Sequence, residues 1–217
     1  MKKNSTELVF ILDRSGSMSG LEGDTIGGFN SMLVKQKQLE GKCYITTVLF
    51  DNNYELLHDR IEIQAVSTIS DKEYYVGGST ALLDAIGRTI NKIGNVQKNT
   101  AAEYRAENVL FVIITDGQEN SSREYSMRRI KEMIEHQKSK YDWEFIFLGA
   151  NIDAVETAGK FGISADRAQD FHADSEGVEL NFRVMSETVA SYRESAEMPD
   201  DWNKKIKRDY QGRGKKA

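Results

Sequence analysis

The chain has 217 residues, of which 39% are hydrophobic and 29% charged, with one proline and one cysteine. That composition suits one domain with a substantial core, and it excludes a disordered chain, an intrachain disulfide and a cysteine-built metal cage. The formal net charge of −5 hides an asymmetry: residues 203–217 carry seven Lys or Arg against one acid, while the rest carries 22 against 33.

The first element is the apolar run at residues 8–12, which reads as a strand covered on both faces. It is too short for the roughly 20-residue run that crosses a bilayer, and too short for a secretory signal. A cytoplasmic protein without a membrane segment is therefore expected. The run stops at Asp13, and "DRSGSMS" follows, with Ser15 and Ser17 at alternate positions. Turns favour Asp, Ser and Gly, which explains the composition of this stretch but not its spacing.

Residues 24–40 read as a helix capped by Asp24, with Ile26, Phe29, Met32 or Leu33, and Leu39 towards a core. A β-rich strand follows at residues 45–50, with Cys43 expected buried beside it. Residues 54–63 alternate like a partly exposed neighbour. "GGSTALLDAI" then brings Thr80 to the start of a helix over residues 80–94, with Ser79 or Thr80 near its cap. Leu82 or Leu83, Ile86, Ile90 and Ile93 form its apolar stripe.

The run at residues 109–114 predicts another buried strand, ended by Asp116 in "TDGQEN". Helices over residues 122–138 and 152–161 flank a strand at residues 145–148, and a weaker strand is expected near residues 170–173. A helix over residues 176–197 carries Val178, Phe182, Met185, Val189 and Tyr192 as ordinary core packing. One domain over residues 1–198 is expected, followed by a mobile basic tail at residues 199–217.

Strands alternating with helices imply an α/β fold: a doubly wound, mostly parallel central sheet with helices on both faces. The C-terminal ends of its parallel strands share one edge, where ligands of such sheets bind. Asp13, Ser15, Ser17, Thr80 and Asp116 come to that edge from three loops. All five carry hard oxygen donors, the set that Mg²⁺ or Mn²⁺ prefers, and five such oxygens leave one octahedral position open. His58, His136 and His172 show no zinc-site spacing. Asp84, one helical turn after Thr80, reads equally as support for this site or as charge at a helix N-terminus. Glu119 reads either as a rim residue or as the start of the next helix.

The pattern D-x-S-x-S at Asp13, Ser15 and Ser17, then Thr80, then Asp116, resembles the von Willebrand factor A-type family with its metal-ion-dependent adhesion site. The resemblance covers about residues 6–195. It implies that Ser15, Ser17 and Thr80 contact the metal directly, with Asp13 and Asp116 often acting through water. It also implies a non-catalytic interaction module, whose protein partner supplies a Glu or Asp carboxylate to the metal. Short single-domain forms resemble intracellular bacterial or phage-associated proteins.

Two other functions compete. A phosphatase-like, metal-dependent hydrolase would want D-x-D, but Ser15 stands at the second position. A serine hydrolase would want G-x-S-x-G, yet "GSMSG" puts Met18 at its centre. Nucleic acid or an acidic partner could meet the basic tail, though the body offers no matching basic stripe or aromatic platform.

Overall fold

The apolar runs become neighbouring strands of one six-stranded sheet in the computed structural model, which describes residues 5–214. The strands are β1 (Ser5–Asp13), β2 (Lys42–Phe50), β3 (Tyr54–Glu62), β4 (Asn108–Thr115), β5 (Glu144–Gly149) and β6 (Ala168–Asp170). Their order is β3-β2-β1-β4-β5-β6, with β3 antiparallel to β2 and every other pair parallel. The helices are α1 (Glu22–Lys37), α2 (Leu82–Asn99), α3 (Met127–Tyr141), α4 (Ala154–Lys160), α5 (Ser175–Ser195) and α6 (Lys204–Arg213).

Continuous apolar runs are needed because successive side chains in a strand enter opposite layers. Leu8, Phe10 and Leu12 join a core with α1 and α5, whereas Val9 and Ile11 join a second core with α2, α3 and α4. The doubly wound sheet with helices on both faces is therefore as expected. Cys43 is buried as expected, and burial pushes its thiol up to about 11, so it is an unreactive packing group.

The strand order fixes where a ligand can sit. From β1 the chain moves to one side for β2 and later returns to the other side for β4. Connections diverge there, opening a crevice at the C-terminal ends of β1 and β4. Asp13 ends β1, and Asp116 directly follows β4.

Local differences from expectation have identifiable causes. Helix α1 begins at Glu22 without a side-chain cap; Asp24 instead accepts the Ser175 hydroxyl at 2.6 Å, tying α1 to α5. Helix α3 begins at Met127 rather than near residue 122, because Ser126 caps it and the side chains of Asp84 and Glu119 hold the preceding loop. The weak strand falls at Ala168–Asp170, slightly earlier than expected.

The basic segment is the larger correction. Residues 204–213 form helix α6, packed on the body rather than trailing as a tail. Met198, Trp202 and Ile206 recur every fourth residue, and all three are buried in the α1–α5 core. Burying Ile206 alone contributes about 1.5–3 kcal/mol. Charge follows the same docking: Lys205 pairs with Glu187 at 2.6 Å and Arg213 with Asp174 at 2.9 Å. Among the described residues no helix is long and apolar enough to cross a membrane.

Candidate functional site

The five oxygen-bearing residues named from the sequence meet at the C-terminal edge of β1 and β4. The Thr80 hydroxyl donates to the Ser15 hydroxyl at 3.0 Å, and the Ser15 and Ser17 hydroxyls lie 3.1 Å apart. Ser17 in turn donates to Oδ1 of Asp116. A continuous chain of hydroxyls thus links the loop after β1, the loop before α2 and the end of β4. Asp13, Ser15, Thr80 and Asp116 are all buried, while Ser17 is exposed at the mouth.

Asp13 is held on every side. Its Oδ1 accepts the Ser15 backbone N–H at 2.7 Å and its Oδ2 accepts the Thr115 hydroxyl at 2.6 Å. Its carbonyl accepts the buried Tyr74 hydroxyl at 2.6 Å. Asp116 is less engaged, since its Oδ2 is buried with no hydrogen-bond partner among the described residues.

Two glycines permit this convergence. Gly78 has φ +74°, and a Cβ there would sit 2.1 Å from Oδ1 of Asn52. Its carbonyl receives the Gly16 N–H at 3.1 Å, which joins the Thr80 loop to the β1 loop. Gly117 lies beside the hydroxyls, where a Cβ would come within 3.1 Å of Ser17 Oγ and 3.3 Å of Thr80 Oγ1. Thr80 is clamped by Asn120, whose side chain accepts the Thr80 N–H at 2.9 Å and whose own N–H reaches the Thr80 carbonyl at 3.0 Å.

The electrostatics are those of negative charge without an internal counter-ion. Burial pushes the Asp116 carboxyl up to about 6; the Ser17 hydrogen bond opposes this shift and the charge of Asp13 adds to it. Burial also raises Asp13, against the hydrogen bonds from Ser15 and Thr115. Arg14 sits between two site residues, but its guanidinium pairs with Asp51 at 3.3 Å and Glu55 at 2.6 Å. Among the described residues no ion pair reaches Asp13 or Asp116, and no three His, Cys, Asp or Glu gather as a metal cluster. Any cation here would therefore depend on the hydroxyls as well as on the two carboxylates.

Asp84 and Glu119 belong to the frame rather than to the site. Asp84 accepts the backbone N–H groups of Arg123, Glu124 and Tyr125 at 2.8–2.9 Å. Glu119 accepts the N–H of Leu83 at 2.9 Å in the first turn of α2, and those of Ser121 and Ser122 at 3.0 and 2.7 Å. Together they fix the loop between β4 and α3 against α2.

Thr115, Tyr74, Asn120 and Gly117 complete the setting and were not evident from the motif. Thr115 alone left a usable signal, as a polar residue closing an apolar run whose register places Ile114 beside Leu12.

Comparisons agree on the fold. A von Willebrand factor type A structure from Catenulispora acidiphila superposes with a TM-score of 0.58 at 15% identity, covering 86% of this chain and 42% of that one. The ArnB paralog VWA2 from Sulfolobus acidocaldarius gives 0.55 at 18% identity, covering 86% and 45%. A D319A mutant of the PilB minor pilin from Streptococcus sanguinis gives 0.58 at 11% identity, covering 89% and 63%. This chain therefore spans less than two thirds of each of these chains. No family model matches the sequence, and no curated protein matches it. The likeness establishes the von Willebrand factor A-type fold.

Proposed function

We propose that a chain with this fold acts as a cytoplasmic, non-catalytic protein-interaction module built on a divalent-cation site. Asp13, Ser15, Ser17, Thr80 and Asp116 would hold Mg²⁺ or Mn²⁺, and a Glu or Asp carboxylate from a partner protein would complete its shell. The bound cation would supply the positive charge that two adjacent buried carboxylates lack, and with it an attraction for a further carboxylate.

One observation carries this reading. Two buried carboxylates, both pushed up in pKa, face three hydroxyls, and one carboxylate oxygen, Oδ2 of Asp116, is buried without a partner. Unpaired polar atoms are rare inside proteins and call for an explanation, of which an ion is one. The donor set is all hard oxygen, which suits Mg²⁺ or Mn²⁺. The residues present fit the cation.

The chain's own groups each have a task. Thr115 and the Ser15 N–H hold Asp13 in one orientation. Asn120 fixes the height of Thr80, and exposed Ser17 marks the side from which a partner arrives. The acidic body would repel an acidic partner everywhere else, so the site would select one carboxylate at one place. The non-catalytic reading rests on Ser15, which has no useful proton-transfer pKa and already accepts from Thr80. His58 faces Thr47 and His172 faces the Tyr210 carbonyl, so neither serves as a base for the site.

Capture of partners from a lysate of the source organism tests this reading, with wild type and a folded Asp116→Ala variant compared in Mg²⁺ buffer and in chelator. A partner retained only by wild type in Mg²⁺ supports it. Equal retention under all conditions rejects it.

A further inference from the structure

A second feature adjoins the site. A small cavity is lined by Asp13, Asn181 of α5, Thr25 of α1, Ile114 and Phe171. Its volume is about 10 Å³, close to the room that a single water needs.

Asn181 is the anomaly. It stands on the buried face of α5 between Val178 and Met185, with only 1% of its surface exposed. Neither Oδ1 nor Nδ2 has a hydrogen-bond partner among the described residues. A leucine of similar size would fill this position without desolvating a donor and an acceptor. An amide here is explained by a ligand that both donates and accepts. The small space excludes anything larger than a water, which answers both the donor and the acceptor of the amide at once.

We propose that this cavity is a hydration site for one ordered water held by Asn181, and that Asn181 thereby acts as a positioning residue for the loop that begins at Asp13. The positioning role rests on the reading of that loop as a cation site. Asp13 lines the same cavity, and its carboxylate is already held by Ser15 and Thr115. A water there would brace the carboxylate from the α5 side, just as Thr115 braces it from β4. Indirect partners of this kind commonly change metal affinity about 10- to 100-fold when removed.

The test has two arms. A high-resolution crystal structure of the full chain should show an ordered water within hydrogen-bond distance of Asn181. Mn²⁺ titration should show about tenfold weaker binding in Asn181→Leu, which replaces the water with hydrocarbon, while melting temperature is not lowered. Asn181→Ser, which keeps a polar group and leaves room, should stay near wild type. A dry cavity, or Asn181 turned to another partner, overturns the hydration site. A leucine variant that binds Mn²⁺ like wild type overturns the positioning role. Wild type that holds the water yet binds no Mn²⁺ overturns the cation reading, and the positioning role with it, while the hydration site stands.

Discussion

Thr115, the last residue of β4, donates its hydroxyl to Oδ2 of Asp13, the last residue of β1, at 2.6 Å. The bond closes the seam between the two strands at the point where the crevice opens. Both residues are buried, so the bond is shielded from water. Thr115→Val should destabilise the fold by about 1.5–3 kcal/mol, the range for a hydrogen bond to a charged group. Urea unfolding measures this, and Thr115→Ser should recover most of the loss. A valine variant as stable as wild type would mean that Asp13 is held by other means.

The raised Asp116 sets a pH dependence. Its folded value of about 6 lies above the ordinary 3.8, so between those values the native state binds more protons than the unfolded chain. The contribution of Asp116 to the stability of metal-free protein is therefore fully present below about 4 and is lost as pH rises through 6. Asp116→Asn should remove that slope from the pH profile of unfolding. Cation binding requires the ionised form, so Mn²⁺ affinity should be flat above about pH 7 and fall about tenfold per unit below 6. An affinity unchanged at pH 5 would exclude Asp116 from the cation's shell.

Gly117 keeps the hydroxyls free. A methyl group there would press on Ser17 Oγ and Thr80 Oγ1 at 3.1 and 3.3 Å. Gly117→Ala should weaken Mn²⁺ binding several-fold, on the order of 1 kcal/mol. Far-ultraviolet circular dichroism should remain that of wild type. Unchanged affinity would place the cation away from these two hydroxyls.

Asp84 gives the contrasting case. Its carboxylate organises three backbone N–H groups of the loop before α3, so Asp84→Ala should cost about 1–3 kcal/mol in unfolding free energy. Mn²⁺ affinity of the folded variant should change by less than about twofold, since ΔG then shifts by under ~0.5 kcal/mol. A large loss of affinity with little loss of stability would return Asp84 to the site.

Much of this architecture is legible in the sequence because it depends on local rules. The strands announce themselves as apolar runs, and Asp13 and Asp116 announce the edge by ending those runs with charge. Motif order singles out Ser15, Ser17 and Thr80. The residues that spacing left hidden act through long-range contacts, as Asn120 does on Thr80 and Tyr74 on the Asp13 carbonyl. Asp84 is ambiguous in the sequence because its partners lie about 40 residues away in an irregular loop. Charge obscures helix α6 in the sequence: Lys204, Lys205, Lys207 and Arg208 outweigh a sparse apolar stripe in which Ile206 lies within the helix and Met198 and Trp202 precede it. Burial follows that stripe, while the cations on the exposed face report solvent and ion pairs.

The most direct measurement is calorimetric titration of Mn²⁺ into the metal-free chain at pH 7.5, with wild type beside Asp116→Ala and Ser15→Ala. Both variants are first shown to be folded. One saturable site in wild type, at least about tenfold weaker in each variant, is the expected result. No binding in wild type, or equal binding in all three proteins, would contradict a cation held by Asp13, Ser15, Ser17, Thr80 and Asp116.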